Sequence, residues 1–309
     1  MANNKLNFCA WNIQGFSSRQ IGNKFEDKEF IKSFEGIDLI GLTETHIHHE
    51  IIDKMNIPGF HRLKMKNQMK NKKSNTAQKG IAVFVKEEIK NIFRIEPTDN
   101  EDAIWVKLRK ECTGRNKDVY IATCYLNPSN AKERDTRISR LTEDAISLLK
   151  KGDIMIQGDL NAKTGILEDT ISPDKSDELF ELSLNKPPPM RNSQDSAVNF
   201  RGNELVDMCK SLDLNIVNGR KTGDLFGSYT CFQWNGSSVV DYLIVSSSLF
   251  QNVPLFKVGE FTPWLSDHCP TYFSLELDQD IVGEESKSCR KMHQNNIFGL
   301  PKASKFFRT

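Results

Sequence analysis

The chain of 309 residues contains no hydrophobic run close to the roughly 18 residues that a membrane-spanning helix needs. It also has no pattern of a secretory signal, because the start Met1–Lys5 is not followed by an apolar stretch. Its seven cysteines are odd in number, and they include no C-x-x-C pair. A disulfide framework and a cysteine zinc site are therefore not expected. These absences predict an intracellular protein with reduced thiols.

A large excess of one charge is also missing. The net charge of +1 excludes a polycation that would coat nucleic acid indiscriminately. The basic residues are nevertheless unevenly placed, since the window from Lys54 to Lys86 has no Asp or Glu. Two interpretations of this basic window stand equal, a solvated loop and a contact to a phosphate backbone. Its cations include Arg62, Lys64, Lys66, Lys70, Lys72, Lys73 and Lys79.

Short apolar runs rich in Val, Ile and Phe predict strands along most of the chain. Helical spacing of apolar residues predicts helices at Ile138–Leu149 and Leu205–Leu212. Together they indicate an α/β fold with large sheets. The strands are predicted at Leu6–Trp11, Ile37–Leu42, Gly80–Val85, Ile104–Leu108, Val119–Tyr125, Ile154–Ile156, Leu214–Val217, Tyr229–Trp234, Val239–Val245 and Thr271–Leu277.

Two segments have neither pattern. The polar stretch from Leu167 to Asn199, with Pro187-Pro188-Pro189, predicts a long surface loop with a short helix near Glu178–Leu182. Residues 278–309 are rich in Lys, Ser and Asn and predict a disordered tail. The folded domain is accordingly expected to cover residues 1–277.

Several of the predicted strands end in residues that can bind a metal or a phosphate, and a rigid scaffold can aim such side chains at one point. A single Asp or Asn after a strand is typical of a turn or a helix cap. The combination of Gly-Asp-x-Asn with Ser-Asp-His is far more specific and predicts one shared site. The segments are Asn12, Thr43-Glu44-Thr45-His46, Tyr125-Leu126-Asn127-Pro128, Gly158-Asp159-Leu160-Asn161, Asp241-Tyr242 and Ser266-Asp267-His268.

With these motifs the chain resembles the endonuclease/exonuclease/phosphatase superfamily from about Leu6 to Leu277. The resemblance implies a four-layered α/β sandwich, with two packed central β-sheets flanked by helices and the site at one end. Within the superfamily the chain is similar to the endonuclease domains of non-LTR retrotransposons. That similarity lies in Trp11-Asn12-Ile13-Gln14-Gly15, Thr43-Glu44-Thr45-His46, Gly158 to Gly165, Asn199-Phe200-Arg201-Gly202-Asn203-Glu204-Leu205, and Ser228-Tyr229-Thr230 ahead of Val240-Asp241-Tyr242.

The chain departs from the repair-type abasic endonucleases at two positions. Those enzymes carry an acid where this sequence has Gln14 and a lysine where it has His46. A neutral Gln14 supplies no negative charge to a cation, which argues against a second metal position on that side. This difference favours the retrotransposon-like branch.

The resemblance implies phosphodiester hydrolysis assisted by Mg²⁺, for which Mn²⁺ could substitute. Glu44 is the expected metal ligand, and Asp267 is expected to contact the metal or to lie just outside its ligands. A hard oxygen donor suits Mg²⁺, which keeps several of its waters.

The remaining motif residues have implied catalytic roles. Asp159 would orient and deprotonate the attacking water, while Asn161 and Asn12 would hold that water or a phosphate oxygen. His268, as an imidazolium paired with Asp241, would stabilise the pentacovalent phosphorane. For Tyr125 two interpretations stand equal, a hydrogen bond to the scissile phosphate and packing of a rim residue on Pro128. Ser266 is interpreted as a turn residue whose hydroxyl caps the following backbone.

The expected function is a Mg²⁺-dependent endonuclease that nicks duplex DNA for a retroelement, as a monomer in the nucleus and without a membrane partner. A phosphoesterase that acts on inositol phosphates, a sphingolipid or RNA is the alternative among enzymes. An inactive truncated or domesticated domain that binds nucleic acid is the alternative outside them.

Overall fold

The computed structural model describes residues 4–47, 49–66, 79–128, 136–171, 188–279 and 281. Lys70, Lys72 and Lys73, the helix predicted near Glu178–Leu182, and residues 280 and 282–309 of the predicted tail lie outside the described residues. None of the described helices has the length and apolar character needed to cross a bilayer.

The described elements follow the chain in an order that mixes strands and helices. The strands are β1 Lys5–Asn12, β2 Ser17–Ser18, β3 Gly22–Asn23, β4 Leu39–Thr43, β5 Phe60–Lys66, β6 Ile81–Lys86, β7 Phe93–Glu96, β8 Ala103–Leu108, β9 Asp118–Tyr125, β10 Gly152–Asp159, β11 Leu214–Ile216, β12 Cys231–Gln233, β13 Gly236–Ser238, β14 Asp241–Ser246, β15 Leu255–Val258 and β16 Thr271–Glu276. The α-helices are α1 Lys28–Lys32, α2 Arg137–Leu149 and α3 Phe200–Leu212. Short 3₁₀ helices cover Lys24–Glu26, His49–Lys54, Glu87–Ile92, Lys110–Cys112 and Ser247–Asn252.

Two six-stranded sheets pack face to face. The first has the order β15-β16-β1-β4-β6-β5, and the second has the order β11-β14-β10-β9-β8-β7. Side chains alternate between the two faces of a strand, so Leu6 and Phe8 of β1 enter the core between the sheets while Trp11 points to the other face. Phe8 stacks on Phe273 of β16 with ring centroids 4.9 Å apart.

Helices and aromatic residues cover the outer faces of both sheets. Helices α2 and α3 bury Leu141, Ala145 and Leu205 against the second sheet. Helix α1 and the segments beside it cover the first sheet with a cluster of phenylalanines, and Phe30 stacks on Trp11 at 5.3 Å. The four-layered α/β sandwich expected from the sequence is therefore confirmed.

The structure also corrects some of the expected elements. Strands β5, β7 and β15 were not expected; each is a short strand with a mixed burial pattern, and β5 lies within the basic window. The stretch from Leu167 to Asn199 is not wholly a surface loop. Within its described part the Asp169 side chain is fully buried, and it accepts two 2.7 Å hydrogen bonds from Arg220.

Strand pairing brings the motif residues to one end of the sandwich. In the second sheet, Asp159 of β10 lies opposite Tyr125 of the parallel β9 and opposite Asp241 of the antiparallel β14. In the first sheet, Asn12 of β1 lies opposite Thr43 of the parallel β4, so that Glu44 follows directly. The registers of both sheets thus place polar strand ends side by side.

We predict that Phe8→Ala lowers the free energy of unfolding by about 3–5 kcal/mol, because it leaves a cavity between two sheets that cannot collapse. Urea denaturation of the two proteins measures this difference. Phe226→Ala is the matched control, since Phe226 is 77% exposed and its loss should cost no more than about 0.5 kcal/mol. Equal losses in the two variants would contradict the assignment of Phe8 to the core.

Candidate active site

His268 is the centre of the polar cluster at this end of the sandwich. Its Nδ1 lies 2.8 Å from Asp241 Oδ2, and its Nε2 lies 3.9 Å from Asp159 Oδ2. The ring is buried, with 7% of the side chain exposed. Since Nδ1 is engaged by Asp241, the ring presents Nε2 towards Asp159 and the remaining polar groups of the cluster.

The backbone around His268 is fixed by hydrogen bonds to the first sheet. The Ser266 hydroxyl donates to the carbonyl of Asn12 at 2.7 Å and accepts from the backbone N–H of His268 at 3.0 Å. The Trp11 indole donates to the carbonyl of His268 at 2.8 Å. Ser266 therefore orients the turn that carries His268, as the sequence suggested.

Asn12 joins the two sheets within the cluster. Its amide nitrogen donates to Glu44 Oε1 at 2.8 Å and to Asp159 Oδ2 at 2.9 Å, and lies 3.4 Å from His268 Nε2. Its carbonyl oxygen accepts from the backbone N–H of Gln14 at 3.0 Å. Both ends of the amide are thus occupied, which fixes its orientation.

Asn161 completes the surroundings of Asp159. Its side-chain amide donates to Asp159 Oδ2 and to the carbonyl of Leu126, both at 3.0 Å, and its backbone N–H donates to Asp159 Oδ1 at 2.9 Å. Asn161 has a φ of 47°, a left-handed conformation that Asn adopts more readily than most residues. The Asp-x-Asn spacing is explained by this tight turn.

Glu44 remains ionised although it is largely buried. Burial favours the protonated carboxyl, but hydrogen bonds, first from His46 and then from Asn12, outweigh it and lower the pKa of Glu44 to about 2. The His46 Nε2 lies 3.3 Å from Glu44 Oε2. Glu44 is therefore negatively charged at neutral pH.

Asp159 has the opposite tendency. Burial raises the pKa of Asp159 above its ordinary value, and the His268 charge opposes this rise. The neighbouring carboxylates of Asp241 and Glu44 add to the rise. A carboxylate with a raised pKa accepts a proton more readily than an ordinary one.

His268 is held in its charged form. Burial disfavours the imidazolium, but the Asp241 carboxylate outweighs burial and places the pKa of His268 well above its ordinary value. Asp159 and His268 thus form a pair with a proton acceptor on one side and a cation on the other. This is the arrangement that acid–base chemistry at a single bond needs.

Tyr125 is buried beside these groups. Its hydroxyl lies 3.2 Å from Asn127 Oδ1, and it helps to lower the pKa of Glu44. Burial, followed by the charge of Glu44, raises the pKa of Tyr125, so the phenol keeps its proton. Its orientation towards Glu44 favours a donor role over simple packing on Pro128.

Asp267 lies at the edge of the cluster, 4.0 Å from His268 Nε2 and with 23% of its side chain exposed. It shares a group of possible metal ligands with Cys231 and His268, and a second such group contains Asp159, Asp241 and His268. Within the described part of the chain, neither group includes Glu44. The placement of Glu44 and Asp267 on one metal therefore stays a prediction.

Lys24 and Cys231 were not anticipated from the sequence. Lys24 is buried, and its ammonium donates to the carbonyls of Ile13 and Gln14. Burial lowers the pKa of Lys24 to about 8, while the charges of Asp267 and Glu44 raise it. Lys24 belongs to none of the motifs. The only feature of the sequence that could have indicated its burial is the group of phenylalanines near it, Phe16, Phe25 and Phe30. Cys231 lies beside the site because its backbone forms an antiparallel β-bridge with His268.

The donor set fits a divalent cation. Glu44, Asp159, Asp241 and Asp267 are hard oxygen donors around this end of the sandwich, which suits Mg²⁺ or Mn²⁺. After burial, which is the largest cause, the carboxylates of Asp241 and Glu44 contribute to the raised pKa of Asp159, and the His268 charge opposes it. A cation beside Glu44 would offset part of the negative charge of these carboxylates.

Comparisons with known proteins give one matching family model and several structures of similar fold. A family model described as "Endonuclease-reverse transcriptase" matches residues 119–272. No curated protein sequence matches the chain.

Solved structures share the fold at low sequence identity. The endonuclease domain of TRAS1, a telomere-specific non-LTR retrotransposon, is 14% identical with a TM-score of 0.56, and the match covers 89% of this chain and 100% of that one. The catalytic domain of Xenopus laevis APE2 is 16% identical with a TM-score of 0.62, covering 90% and 94%. The 3′ phosphatase NExo from Neisseria, solved with a product DNA hairpin, is 13% identical with a TM-score of 0.57, covering 88% and 99%.

We predict that Asp241→Asn lowers the pKa of His268, because the carboxylate that holds the imidazolium is lost. The raised pKa means that the pair contributes stability in full below a pH of about 6.5, and that this contribution is lost as pH rises through the folded value. An NMR titration of the His268 ring measures the midpoint in both proteins. Asp153→Asn, at a carboxylate that instead contacts Arg115 and Ser248, is the control and should leave the midpoint unchanged.

Proposed function

Because the chain belongs to the endonuclease/exonuclease/phosphatase superfamily, we propose that it is a Mg²⁺-dependent endonuclease that nicks duplex DNA. The fold and the family match support a nuclease or phosphoesterase of this superfamily. The observation that carries the proposal is the buried pair of Asp159 and His268, 3.9 Å apart and bridged by Asn12.

The geometry supports a division of labour in phosphodiester hydrolysis. Asp159 accepts a proton from the attacking water, and its raised pKa makes it a stronger base than an ordinary carboxylate. His268, held as an imidazolium by Asp241, stabilises negative charge on the phosphoryl group. Tyr125 would donate to a phosphate oxygen, and Asn161 would do so by exchanging one of its amide bonds, to Asp159 or to Leu126, for one to the substrate.

Glu44 and Asp267 would hold the Mg²⁺, assisted by the Asn12 amide that orients Glu44. When bound, the ion would neutralise charge that develops on the phosphoryl oxygens. The low pKa of Glu44 keeps this ligand available over the whole physiological range.

DNA is proposed as the substrate on the strength of relatives and of the basic window. The solved structures include a retrotransposon endonuclease and an enzyme with a DNA hairpin, and those properties belong to those proteins. A retroelement endonuclease would act as a monomer on chromosomal DNA, hence in the nucleus. Experiments must distinguish DNA cleavage from two alternatives. The first is hydrolysis of an inositol phosphate, a sphingolipid or RNA, and the second is nucleic-acid binding by an inactive domain.

We predict that the purified protein converts supercoiled plasmid to relaxed circles only when Mg²⁺ is present. His268→Ala should lower turnover by about 10²-fold or more while DNA binding persists, because one donor to the transition state is lost. Glu44→Gln should instead shift the Mg²⁺ titration to higher concentration. Gel separation of the plasmid forms during a metal titration measures both effects.

The two variants serve as controls for each other, since their defects differ in kind. Equal Mg²⁺ midpoints for wild type and Glu44→Gln would remove Glu44 from the metal ligands. Binding of plasmid without any nicking, at every metal concentration, would favour the inactive binding domain. Hydrolysis of an inositol phosphate, a sphingolipid or RNA in preference to plasmid would replace DNA as the substrate.

We predict that replacing Lys70, Lys72 and Lys73 with Ala weakens duplex binding and flattens the dependence of log affinity on log salt. The slope should change by roughly one unit per lost phosphate contact, because each contact releases counterions. Fluorescence anisotropy across a salt series measures the slope. Hydrolysis of a short nitrophenyl phosphodiester should hardly change, since its chemistry involves only the pocket.

Two of the described lysines of the window, Lys66 and Lys79, already have partners within the protein, which makes them less available to a phosphate backbone. Lys66 donates to the carbonyls of Asn100 and Ala103, and Lys79 pairs with Asp102 at 3.7 Å. A triple variant of Lys110, Lys117 and Lys150 is the matched control, because these exposed lysines flank the strand ends opposite the site. An unchanged slope in the first triple variant would contradict a contact between these three lysines and the phosphate backbone.

A further inference from the structure

The first turn of α3 lies against the two strand ends that carry the catalytic residues of the second sheet. This turn is the Asn199-Phe200-Arg201-Gly202 part of a motif that the proposed chemistry does not use. Three of its residues contact the segments that follow β9 and β10. Those segments are Leu126 to Asn127, directly after Tyr125, and Leu160 to Lys163, directly after Asp159.

Arg201 makes the most extensive of these contacts. Its side chain is buried, with the residue 2% exposed. One guanidinium nitrogen donates to the carbonyls of Leu126 at 3.2 Å, Leu160 at 3.3 Å and Asn161 at 3.5 Å. The other terminal nitrogen donates to the carbonyl of Asn127 at 2.8 Å. A single planar group thus ties together the backbone after both strands.

Asn199 and Gly202 hold the same loop from a second direction. The Asn199 side chain caps the helix by accepting from Gly202 N–H at 2.7 Å, and it also accepts from Lys163 N–H at 3.0 Å. The Asn199 N–H donates to the carbonyl of Lys163 at 3.0 Å. A Cβ at Gly202 would lie 1.8 Å from that carbonyl oxygen, so only glycine allows this approach.

The contacts converge on Asn161, which needs support. Its left-handed backbone, with a φ of 47°, is disfavoured for a residue with a side chain. Its side chain shares the carbonyl of Leu126 with Arg201 and also donates to Asp159. A shift of this turn would therefore move the amide and the proposed base together.

We propose that the first turn of α3 is a positioning clamp, in which Arg201 and Gly202 hold Asn161 and Asp159 in the geometry for catalysis. Arg201 contacts backbone carbonyls of the loop, so it acts through Asn161 as a positioning residue. The inference rests on the proposed function for its kinetic part. Its structural part, the restraint of the loop, can be tested without activity.

The first test compares Arg201→Lys and Gly202→Ala with wild type in plasmid nicking. A lysine keeps the charge but cannot reach carbonyls on two segments at once. We expect kcat per folded molecule to fall by about tenfold to a hundredfold with little change in KM or in the Mg²⁺ midpoint, because misplacement by about 1 Å is sufficient for such losses. Unchanged kcat in both variants would overturn the proposal.

A double-mutant cycle tests whether Arg201 acts through Asn161. If it does, Arg201→Lys should cost much less in an Asn161→Ala background than in wild type, because the group that it positions is already absent. Full additivity of the two changes would contradict the clamp and indicate a general structural role.

Arg220→Lys is the matched control for the loss of a buried guanidinium. Arg220 bonds Asp169, Pro189 and Ile216, which are outside the pocket, so its substitution should change stability with little effect on kcat per folded molecule. A drop in kcat equal to that of Arg201→Lys would contradict the proposal.

Amide hydrogen exchange separates failure of the clamp from failure of the proposed function. Arg201→Lys should increase exchange at Leu126, Asn161 and Lys163, whereas Arg220→Lys should not. A wild-type protein without nuclease activity would contradict the proposed function, and the exchange data would still test the clamp. Equal exchange in Arg201→Lys and wild type would reject it.

Discussion

The amide of Asn12 is the interaction on which the site depends, because it connects carboxylates from two different sheets. Asn12 ends a strand of the first sheet, yet it donates to Asp159 at the end of a strand in the second. A sandwich of two sheets has no covalent link at this edge, and the distance between the sheets is set by the core that contains Phe8 and Phe273. Because the Asn12 amide donates to both Glu44 and Asp159, it holds these two carboxylates at a fixed distance from each other across the two sheets.

The electrostatics follow from this convergence. Bringing Glu44, Asp159 and Asp241 close together in a buried place is unfavourable unless positive charge is nearby. His268 supplies part of it, and Lys24, whose pKa is raised by the charges of Asp267 and Glu44, supplies more. Burial is the largest cause of the raised pKa of Asp159; the His268 charge opposes the rise, and the carboxylates of Asp241 and Glu44 add to it. A cation that bound only the folded protein here would stabilise it.

Sequence patterns could predict the strand ends but could not predict what surrounds them. Asp159 ends a predicted strand, whereas Asp241 begins β14 and His268 lies ahead of β16. Their placement at one end of the sandwich was expected from the motifs and from the family resemblance together. Lys24 belongs to no motif, and Arg201 lies in a motif whose role the sequence did not reveal; both donate to backbone carbonyls, which leave no pattern in a sequence. The edge strand β5 was missed for a related reason, since its lysines resemble a solvated loop and only pairing with β6 reveals a strand.

The backbone of the site explains why it needs so many such contacts. Gln14, Glu44, His46 and Asn161 all have φ values between 46° and 51°, which is uncommon for residues with side chains. Such strain persists only where the surroundings determine the conformation. For Glu44 they include the hydrogen bond from Gly15 N–H to its carbonyl at 2.7 Å, and for His46 the bond from its N–H to the carbonyl of Lys79 at 3.0 Å. For Asn161 they include the bond from its own N–H to Asp159 Oδ1 at 2.9 Å and the bond from Arg201 to its carbonyl at 3.5 Å. Helix α3 and the ends of both sheets therefore meet at the backbone of the candidate site.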